Sequence, residues 1–247
     1  MTAILAAAVL VELFTSEGCS SCPPADAVLA RLHREQPVPG VQLIVLSEHV
    51  DYWNNLGWRD PFSAAIFSDR QGEYGDHIYT PQAVVDGRID VLGSNERAIV
   101  RAVTAAAREP HGTLRLTPTP AGVRIAVTGL SGHSGAEVVV AVVEDGLVST
   151  VQRGENAGRT LAHTAVVRAL HRAGAIPAAA DQWTGEVPVL LNDSWKRPRL
   201  VAFVQEARSR RILAAGALEK ERDGATAKGD ERPTDDQAHG AKKAHAP

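Results

Sequence analysis

The chain has 247 residues, a formal net charge of −3 at pH 7 and a hydrophobic fraction of 44%, a balance that is typical of globular proteins. The sequence contains no basic stripe, which argues against nucleic acid as a partner. No apolar run reaches about 18 residues, so no membrane span is expected.

Residues 1–13 are apolar and rich in alanine. They lack the basic segment that opens a secretory signal, and the motif that follows leaves no space for a cleavage site and a first strand. We therefore assign residues 8–14 to the first strand of the fold. This N-terminus gives no convincing signal peptide, which leaves a cytoplasmic location open.

The first 110 residues alternate strand and helix patterns. Strands are expected at 8–14, 41–50, 82–86 and 89–93, and helices are expected to begin at Pro23, near Pro61, and at Ser94 or Asn95. Proline suits a first helical turn, where its missing N–H would be unpaired anyway. The largely apolar run at 41–50 indicates a central strand that is buried on both faces. This order predicts an α/β arrangement with a terminal hairpin.

After Pro110 the sequence consists of short segments that are rich in β-branched residues and broken by Gly, Pro and Asn. About seven such segments follow one another, which predicts a sandwich-like all-β domain. The predicted division is therefore an α/β domain at 1–110 and a β-rich domain at 111–219. Residues 220–247 contain no Val, Ile, Leu or aromatic side chain, so we expect a disordered tail there.

The chain contains two cysteines, Cys19 and Cys22. A bridge across so short a loop adds little stability, so these residues are poor structural staples. Their place between a strand and a helix is typical of the redox-active CxxC of thioredoxin-like domains. The positive end of the helix would stabilise a thiolate at Cys19, the attacking thiol, and Cys22 would resolve the mixed disulfide. Glu17 acts in the opposite direction, since a nearby carboxylate disfavours the thiolate.

Thr80 and Pro81 precede the strand predicted at 82–86. In thioredoxin-like folds a cis-proline at this place lies against the CxxC, and the backbone of its neighbour pairs with an extended substrate. We therefore predict a cis bond at Pro81, assign Pro81 to the catalytic site with the two cysteines, and assign Thr80 to substrate binding. A trans turn is the alternative.

Four segments, at 11–26, 49–62, 79–87 and 155–168, occur in an order that resembles the DUF1223 family. The resemblance covers most of residues 9–218. It implies the fold class expected here, an α/β thioredoxin-like N-terminal domain followed by an all-β sandwich-like C-terminal domain. Many members of the family are predicted to be secreted or periplasmic, and the resemblance implies the same location for this chain.

Asp51, Tyr52, Trp53 and Trp58 follow the strand predicted at 41–50. In open α/β sheets the carboxyl ends of the strands carry the site, so we assign these residues to a peptide groove beside Cys19. The alternative is that the aromatic side chains pack the first domain against the second.

Glu155, Asn156, Gly158, Arg159 and His163 form a predicted turn and strand start in the second domain. Our hypothesis is that this loop reaches the CxxC face, where Asn156 and Arg159 help to bind a partner. A polar turn with left-handed Asn and Gly residues is the alternative.

The leading functional hypothesis is a thiol–disulfide oxidoreductase that acts on protein or small-thiol substrates without a cofactor. The second is a protein that binds copper or another soft metal through Cys19, Cys22 and His49, whereas a zinc site would lack further ligands. The third is a non-enzymatic interaction module. The sequence leaves the substrate, the direction of electron flow and the oligomeric state open.

Overall fold

The computed structural model describes residues 7–188, 192, 194–196 and 198–218. This part of the chain contains thirteen strands and three helices. The helices are α1 (Pro23–Glu35), α2 (Ala65–Gly72) and α3 (Glu96–Ala106). The strands are β1 (Ala7–Thr15), β2 (Val41–His49), β3 (Gln82–Val85), β4 (Ile89–Leu92), β5 (Thr113–Thr119), β6 (Gly122–Thr128), β7 (Ala136–Glu144), β8 (Leu147–Thr150), β9 (Thr160–His163), β10 (Val166–Ile176), β11 (Gln182–Val187), β12 (Pro198–Glu206) and β13 (Ile212–Ala217). The tail that we predict to be disordered, residues 220–247, lies outside the described residues.

One mixed sheet of eight strands organises the fold, in the order β13-β12-β7-β10-β2-β1-β3-β4. Strands β1 and β2 are parallel along their whole length, and β10 joins β2 in parallel through one residue pair, Val166 with Ser47. The other neighbouring strands of this sheet are antiparallel. Two smaller sheets, β11-β6-β5 and β8-β9, hold the remaining described strands.

The predicted fold class, an α/β thioredoxin-like N-terminal domain followed by an all-β sandwich, is wrong. Of the described residues, 43% are in strands and 15% in helices, and strands from both halves of the chain share the eight-stranded sheet. The physical reason lies at β2, which is buried on both faces. Within the first half of the chain this strand has a neighbour, β1, on one edge only. Strand β10 from the second half supplies its other neighbour, and the Ser47 N–H donates to the Ala165 carbonyl at 2.8 Å.

The predicted division at residue 110 falls in the connection between α3 and β5, and it stays a prediction. Residues from both sides of it contribute to one hydrophobic cluster, which runs from Val9 in β1 to Ala215 in β13. Phe203 of β12 lies at 0% exposure in this cluster. The guanidinium carbon of Arg70 in α2 lies 5.0 Å from the centre of the Phe203 ring.

The helix boundaries follow from local sequence. Pro23 and Pro24 occupy the first turn of α1, and Gln36, which has a left-handed φ of 46°, is the residue that caps its carboxyl end. Asn95, rather than Ser94, caps α3, because its side chain accepts a hydrogen bond from the Ala98 N–H at 3.1 Å. None of the described helices is long and apolar enough to cross a membrane.

A buried ionic group lies between β1, β2 and α2. The Arg70 Nε lies 2.5 Å from Oε1 of Glu12 and 3.5 Å from Oε1 of Glu48, and the Tyr74 hydroxyl donates to the other oxygen of Glu12. Neither carboxyl oxygen of Glu48 has a hydrogen-bond partner among the described residues. Burial, and then the Glu12 carboxylate, raise the pKa of Glu48 well above its ordinary value.

Phe203→Ala should lower the free energy of unfolding by about 3–5 kcal/mol, because it removes a fully buried ring from a core that both halves share. Urea denaturation followed by circular dichroism measures the loss, and a single transition is expected since one cluster spans the sheet. Leu92→Ala on β4, where the side chain is 49% exposed, is the control and should cost under about 1 kcal/mol. Equal losses in the two variants would contradict this account of the core.

Glu48→Gln should change the pH dependence of stability. A carboxyl with a raised folded-state pKa contributes stability below its ordinary pKa of 4.5, and this contribution is lost as pH rises toward the folded-state pKa. Glutamine does not titrate, so the variant keeps its stability over this range. The free energy of unfolding of the variant minus that of the parent protein should therefore rise by at least about 1 kcal/mol between about pH 5 and about pH 8. Urea denaturation at the two pH values measures it, with exposed Glu109→Gln as the control. A difference that does not depend on pH would refute the prediction.

Candidate functional site

Cys19 and Cys22 form a disulfide at the entry to α1, with their Cα atoms 5.4 Å apart. The turn that carries them begins where β1 ends, and the Cys19 N–H donates to the Ser16 carbonyl at 3.2 Å. Both cysteines are buried, whereas Ser20 and Ser21 between them are exposed. The bridge therefore lies just beneath a surface formed by two serines.

Cys22 is the N-cap residue of α1. Because Pro23 and Pro24 have no N–H, the first amides of the helix belong to Ala25 and Asp26, and both donate to the Cys22 carbonyl, at 2.8 and 3.1 Å. The amino end of a helix carries partial positive charge. The sequence thus places one sulfur of the bridge at that end, as the CxxC-to-helix order predicts.

The carboxylate of Glu17, two residues before Cys19, is buried and accepts several hydrogen bonds. Trp58 Nε1 donates to its Oε2 at 2.8 Å, and the Ser149 hydroxyl donates to its Oε1. His163 Nε2 lies 3.0 Å from the same Oε1. These partners come from three segments of the chain, so Glu17 holds them together beneath the CxxC turn.

Four more ionisable side chains lie buried beside Glu17. His49 Nδ1 lies 2.7 Å from Oδ2 of Asp60, and the rings of His49 and His163 meet edge to face with centroids 4.8 Å apart. His163 Nδ1 lies 3.8 Å from Oδ2 of Asp26. His49 Nε2 and His163 Nδ1 have no hydrogen-bond partner among the described residues. Two imidazoles and three carboxyls thus share one enclosed volume.

This enclosure shifts the pKa values of three of the side chains. Burial raises the pKa of Asp26, although His163 and His49 oppose the shift. Burial acts to lower the pKa of His49, but the charge of Asp60 and its hydrogen bond outweigh it, so the pKa is raised. Burial acts to raise the pKa of Asp60, but His49 and two backbone amides outweigh it, so that pKa is lowered. The contact between His49 and Asp60 therefore favours the charged form of each, and Asp26 retains its proton more readily than an exposed aspartate.

The loop between β8 and β9 lies against the CxxC. The side-chain amide of Asn156 donates to the carbonyls of Glu17 and Cys19, at 2.8 and 3.0 Å. Arg159 Nη1 donates to the Asn156 side-chain oxygen at 2.8 Å, which orients that amide. Gly158 has a left-handed φ of 79°. The loop therefore reaches the CxxC face as the sequence analysis predicts, and its part in binding a partner stays a prediction.

A second contact of this loop lies at the surface. The Ser20 N–H donates to the carboxylate of Glu155 at 3.0 Å, in an exposed position. Ser20 is one of the two residues between the cysteines, so this bond holds the loop against the CxxC itself. The loop thus contacts the CxxC both from beneath, through Asn156, and from outside, through Glu155.

Two of the predicted aromatic residues lie beside the CxxC turn. A Cβ at Gly18 would lie 3.0 Å from the Cβ of Trp53, and the Trp53 indole donates to the Thr80 hydroxyl at 2.8 Å. Trp58, which donates to Glu17, also packs over Gly154, where a Cβ would lie 3.3 Å from its own Cβ. The structure brings both tryptophans, Thr80 and the CxxC turn together.

Asp51 and Tyr52 contact α2 instead. The Ser68 hydroxyl donates to Asp51 Oδ1 at 2.5 Å, and the Tyr52 hydroxyl donates to the Gln71 side chain at 3.1 Å. Tyr52 remains 40% exposed. These two residues anchor the start of the aromatic segment to the helix, and their part in substrate binding is not tested by these contacts.

The Thr80–Pro81 peptide bond is cis, as predicted. The Pro81 carbonyl accepts a hydrogen bond from the Gly93 N–H at 2.9 Å. A Cβ at Gly93 would lie 3.2 Å from Pro81 Cβ and 3.3 Å from Ala25 Cβ. Glycine at this position therefore lets Pro81 pack close to the first turn of α1, one turn from the disulfide.

The metal hypothesis gains no support from these contacts. His49, its expected third ligand, points one ring nitrogen at Asp60, and both cysteine sulfurs are in the disulfide. In the described part of the chain, no group of three or more His, Cys, Asp or Glu side chains is arranged to hold a metal ion.

Sequence reasoning missed Asp26 and Asp60. Asp26 stands four residues after Cys22 and three before the buried Leu29, on the apolar face of α1. A sequence can show a carboxyl on such a face. Because burying a carboxyl without a partner is costly, its position indicates a functional or hydrogen-bonded group. Asp60 gives no such signal, since it lies in a loop, and its carboxyl is enclosed there by His49 and by the Glu17 and Phe62 amides.

Comparison with solved structures gives two similar chains. Protein AGR_C_4864 from Agrobacterium tumefaciens is 28% identical, with a TM-score of 0.72 over 87% of this chain and 96% of that one. HBP35 of Porphyromonas gingivalis is 15% identical, with a TM-score of 0.61 over 94% of this chain and 81% of that one, and it shows similarity of fold alone. No curated protein matches the chain. Residues 10–205 match the family model described as "Protein of unknown function (DUF1223)", and the chain therefore belongs to the DUF1223 family, as the four segments predict.

Proposed function

We propose that this chain exchanges disulfides with protein thiols or small thiols through Cys19 and Cys22. The observation that supports the proposal is the position of the bridge, which joins the only two cysteines of the sequence across the amino end of α1. With a sequence separation of 3, the bridge restricts the unfolded chain very little and is a weak staple. Its reactivity is therefore a better account of its presence than its contribution to stability.

The exchange balances as two displacements. A substrate thiolate attacks the Cys19 sulfur, a substrate–Cys19 bond forms, and the Cys22 sulfur leaves with the bonding electron pair. A second substrate thiolate then attacks the substrate sulfur of this mixed disulfide, and Cys19 leaves as a thiolate. Two electrons pass from the substrate, which becomes a disulfide, to the cysteine pair, and the reverse sequence oxidises a substrate. The positive end of α1 favours the thiolates.

We assign to Asp26 the proton transfer of the first displacement. Its N–H donates to the Cys22 carbonyl at 3.1 Å. Its carboxyl is buried on the apolar face of α1, and burial raises its pKa. A thiolate released at Cys22, which has 0% exposure, is disfavoured by burial until it gains a proton. In the proposal, the Asp26 carboxyl gives that proton to the Cys22 sulfur and takes it back when the bridge re-forms.

Access to the bridge involves the β8–β9 loop. Because both sulfurs are buried and Glu155 bonds to Ser20, a protein substrate has to replace this contact before it reaches Cys19. The candidate substrate contacts lie around that point: Thr80, Trp53, Trp58, Asn156 and Arg159, with Asp51 and Tyr52 further out beside α2. Disulfides persist in oxidising compartments, so we also propose a periplasmic or secreted location.

Cys22→Ala should trap partners on Cys19. Without the resolving sulfur, a mixed disulfide at Cys19 has no internal nucleophile to release it, so adducts with glutathione and with cellular proteins should accumulate. Nonreducing electrophoresis and intact-mass spectrometry detect them. Cys19→Ala and the double variant are matched controls that should trap much less. A wild-type bridge that glutathione mixtures neither reduce nor re-form, together with no adduct at Cys19, would refute the proposed function.

Asp26→Asn should slow reduction of the bridge by dithiothreitol at least about tenfold near pH 7, because the variant has no proton to give to Cys22. The advantage of the parent protein should shrink as pH rises, since Asp26 then loses its proton. Stopped-flow tryptophan fluorescence measures the rates. Asp69→Asn on the exposed face of α2 is the control. A rate ratio that is the same at every pH would indicate a structural role for Asp26 and would exclude proton transfer.

A further inference from the structure

A cavity of about 450 Å³ opens at the far end of α1 from the CxxC. Its walls include the last turn of α1, the first half of β2, and residues at the ends of β12 and β13. Since a helix rises about 1.5 Å per residue, the 13 residues of α1 place this cavity roughly 20 Å from the disulfide. It therefore belongs to a different place in the molecule from the proposed redox site.

The arrangement of strands accounts for the cavity. Ser47 with Val166 is the one pair described between β2 and β10, so the first half of β2 does not pair with β10 in the described structure. The Gln36 side chain bonds there to the N–H and the carbonyl of Leu43, at 2.8 and 3.0 Å. Leu43 and Val45 in that half of β2 line the cavity together with Leu218 after β13. These walls are aliphatic, and the volume lies within the range of about 300–1,000 Å³ that small-molecule sites occupy.

Arg199 and His33 form the polar end of the cavity, and each has a nitrogen atom without a hydrogen-bond partner among the described residues. Arg199 Nε lies 2.6 Å from Oδ2 of Asp145, and the other oxygen of Asp145 accepts from the Ala165 N–H at 2.8 Å, so Asp145 fixes the guanidinium without using all of it. Arg199 Nη2 is buried without a hydrogen-bond partner among the described residues, and so is His33 Nδ1. Unmade hydrogen bonds of this kind are costly unless a bound group supplies an acceptor.

We propose that this cavity binds a monocarboxylate with an unbranched aliphatic chain. The carboxylate accepts hydrogen bonds from Arg199 Nη2 and His33, and the chain lies against Leu43, Val45 and Leu218. A carboxylate suits a guanidinium whose Nη2 has no partner among the described residues, because it accepts in the plane of that group. The aliphatic walls suit a hydrocarbon body better than an aromatic or a sugar.

The charges around the cavity favour a single negative charge. Burial, and then the positive charge of Arg199, lower the pKa of His33, so the imidazole is neutral at pH 7. Arg199 supplies the local positive charge, and Asp145 already neutralises part of it. A ligand with two or more charges, such as a phosphate monoester, would lack the cations that it needs.

Isothermal titration of the full-length protein with decanoate tests the proposal. We expect one molecule to bind per chain, and decanol, which has the same chain without the charge, to bind at least tenfold more weakly. Arg199→Gln should weaken decanoate binding at least tenfold. Arg115→Gln, which removes an exposed arginine of β5, is the matched control and should leave binding unchanged.

A second variant covers the case in which Arg199→Gln does not fold. Ala217→Leu fills the cavity while Arg199, His33 and Asp145 stay in place, so it should abolish decanoate binding with an unchanged melting temperature. The proposal is overturned if the parent protein does not bind decanoate, if decanol binds equally well, or if folded Ala217→Leu protein binds as the parent does. A crystal structure with a segment of the chain itself in the cavity would overturn it too. None of these outcomes depends on the reactivity of Cys19 and Cys22.

Discussion

Glu17 is the point at which distant parts of the chain meet at the site. Its carboxylate, its N–H and its carbonyl all make hydrogen bonds, with partners on five other residues: Trp58, Asp60, Ser149, Asn156 and His163. The side chain is buried, and a buried carboxylate persists only where its partners compensate for lost hydration. The requirement to satisfy this one group therefore fixes the aromatic segment, the β8–β9 hairpin and the CxxC turn relative to one another.

Local elements of the fold follow from sequence, but the pairing of strands does not. The prolines of α1, the cap at Asn95 and the apolar run of β2 act over a few residues, so their patterns can be recognised in the sequence. Strand β2 takes β10 as its second neighbour through the pair Ser47 and Val166, which are 119 residues apart in the sequence. No periodicity in either strand encodes this choice. For that reason the predicted fold class is wrong, although about seven of the nine strands after residue 110 have a counterpart among the predicted segments.

The site shows the same limit. Cys19, Cys22, the cis bond at Pro81 and the approach of Asn156 are predictable, since each depends on a residue type with few alternative uses. The buried acids are not, because Asp60 becomes an ion-pair partner only when the aromatic segment folds back over His49. Glu17 is a similar case. The sequence predicts that its carboxylate disfavours a thiolate at Cys19. In the fold that carboxylate is hydrogen-bonded to side chains from three other segments.

The contacts of Asn156 also have a consequence for biosynthesis. Its amide reaches the Cys19 carbonyl across a separation of 137 residues, and β10, which completes the sheet beside β2, follows later still. While the ribosome synthesises the intervening chain, the CxxC lacks the β8–β9 loop that covers it, and β2 lacks its second neighbour. The CxxC therefore becomes enclosed only after most of the chain has been synthesised, when the β8–β9 loop docks.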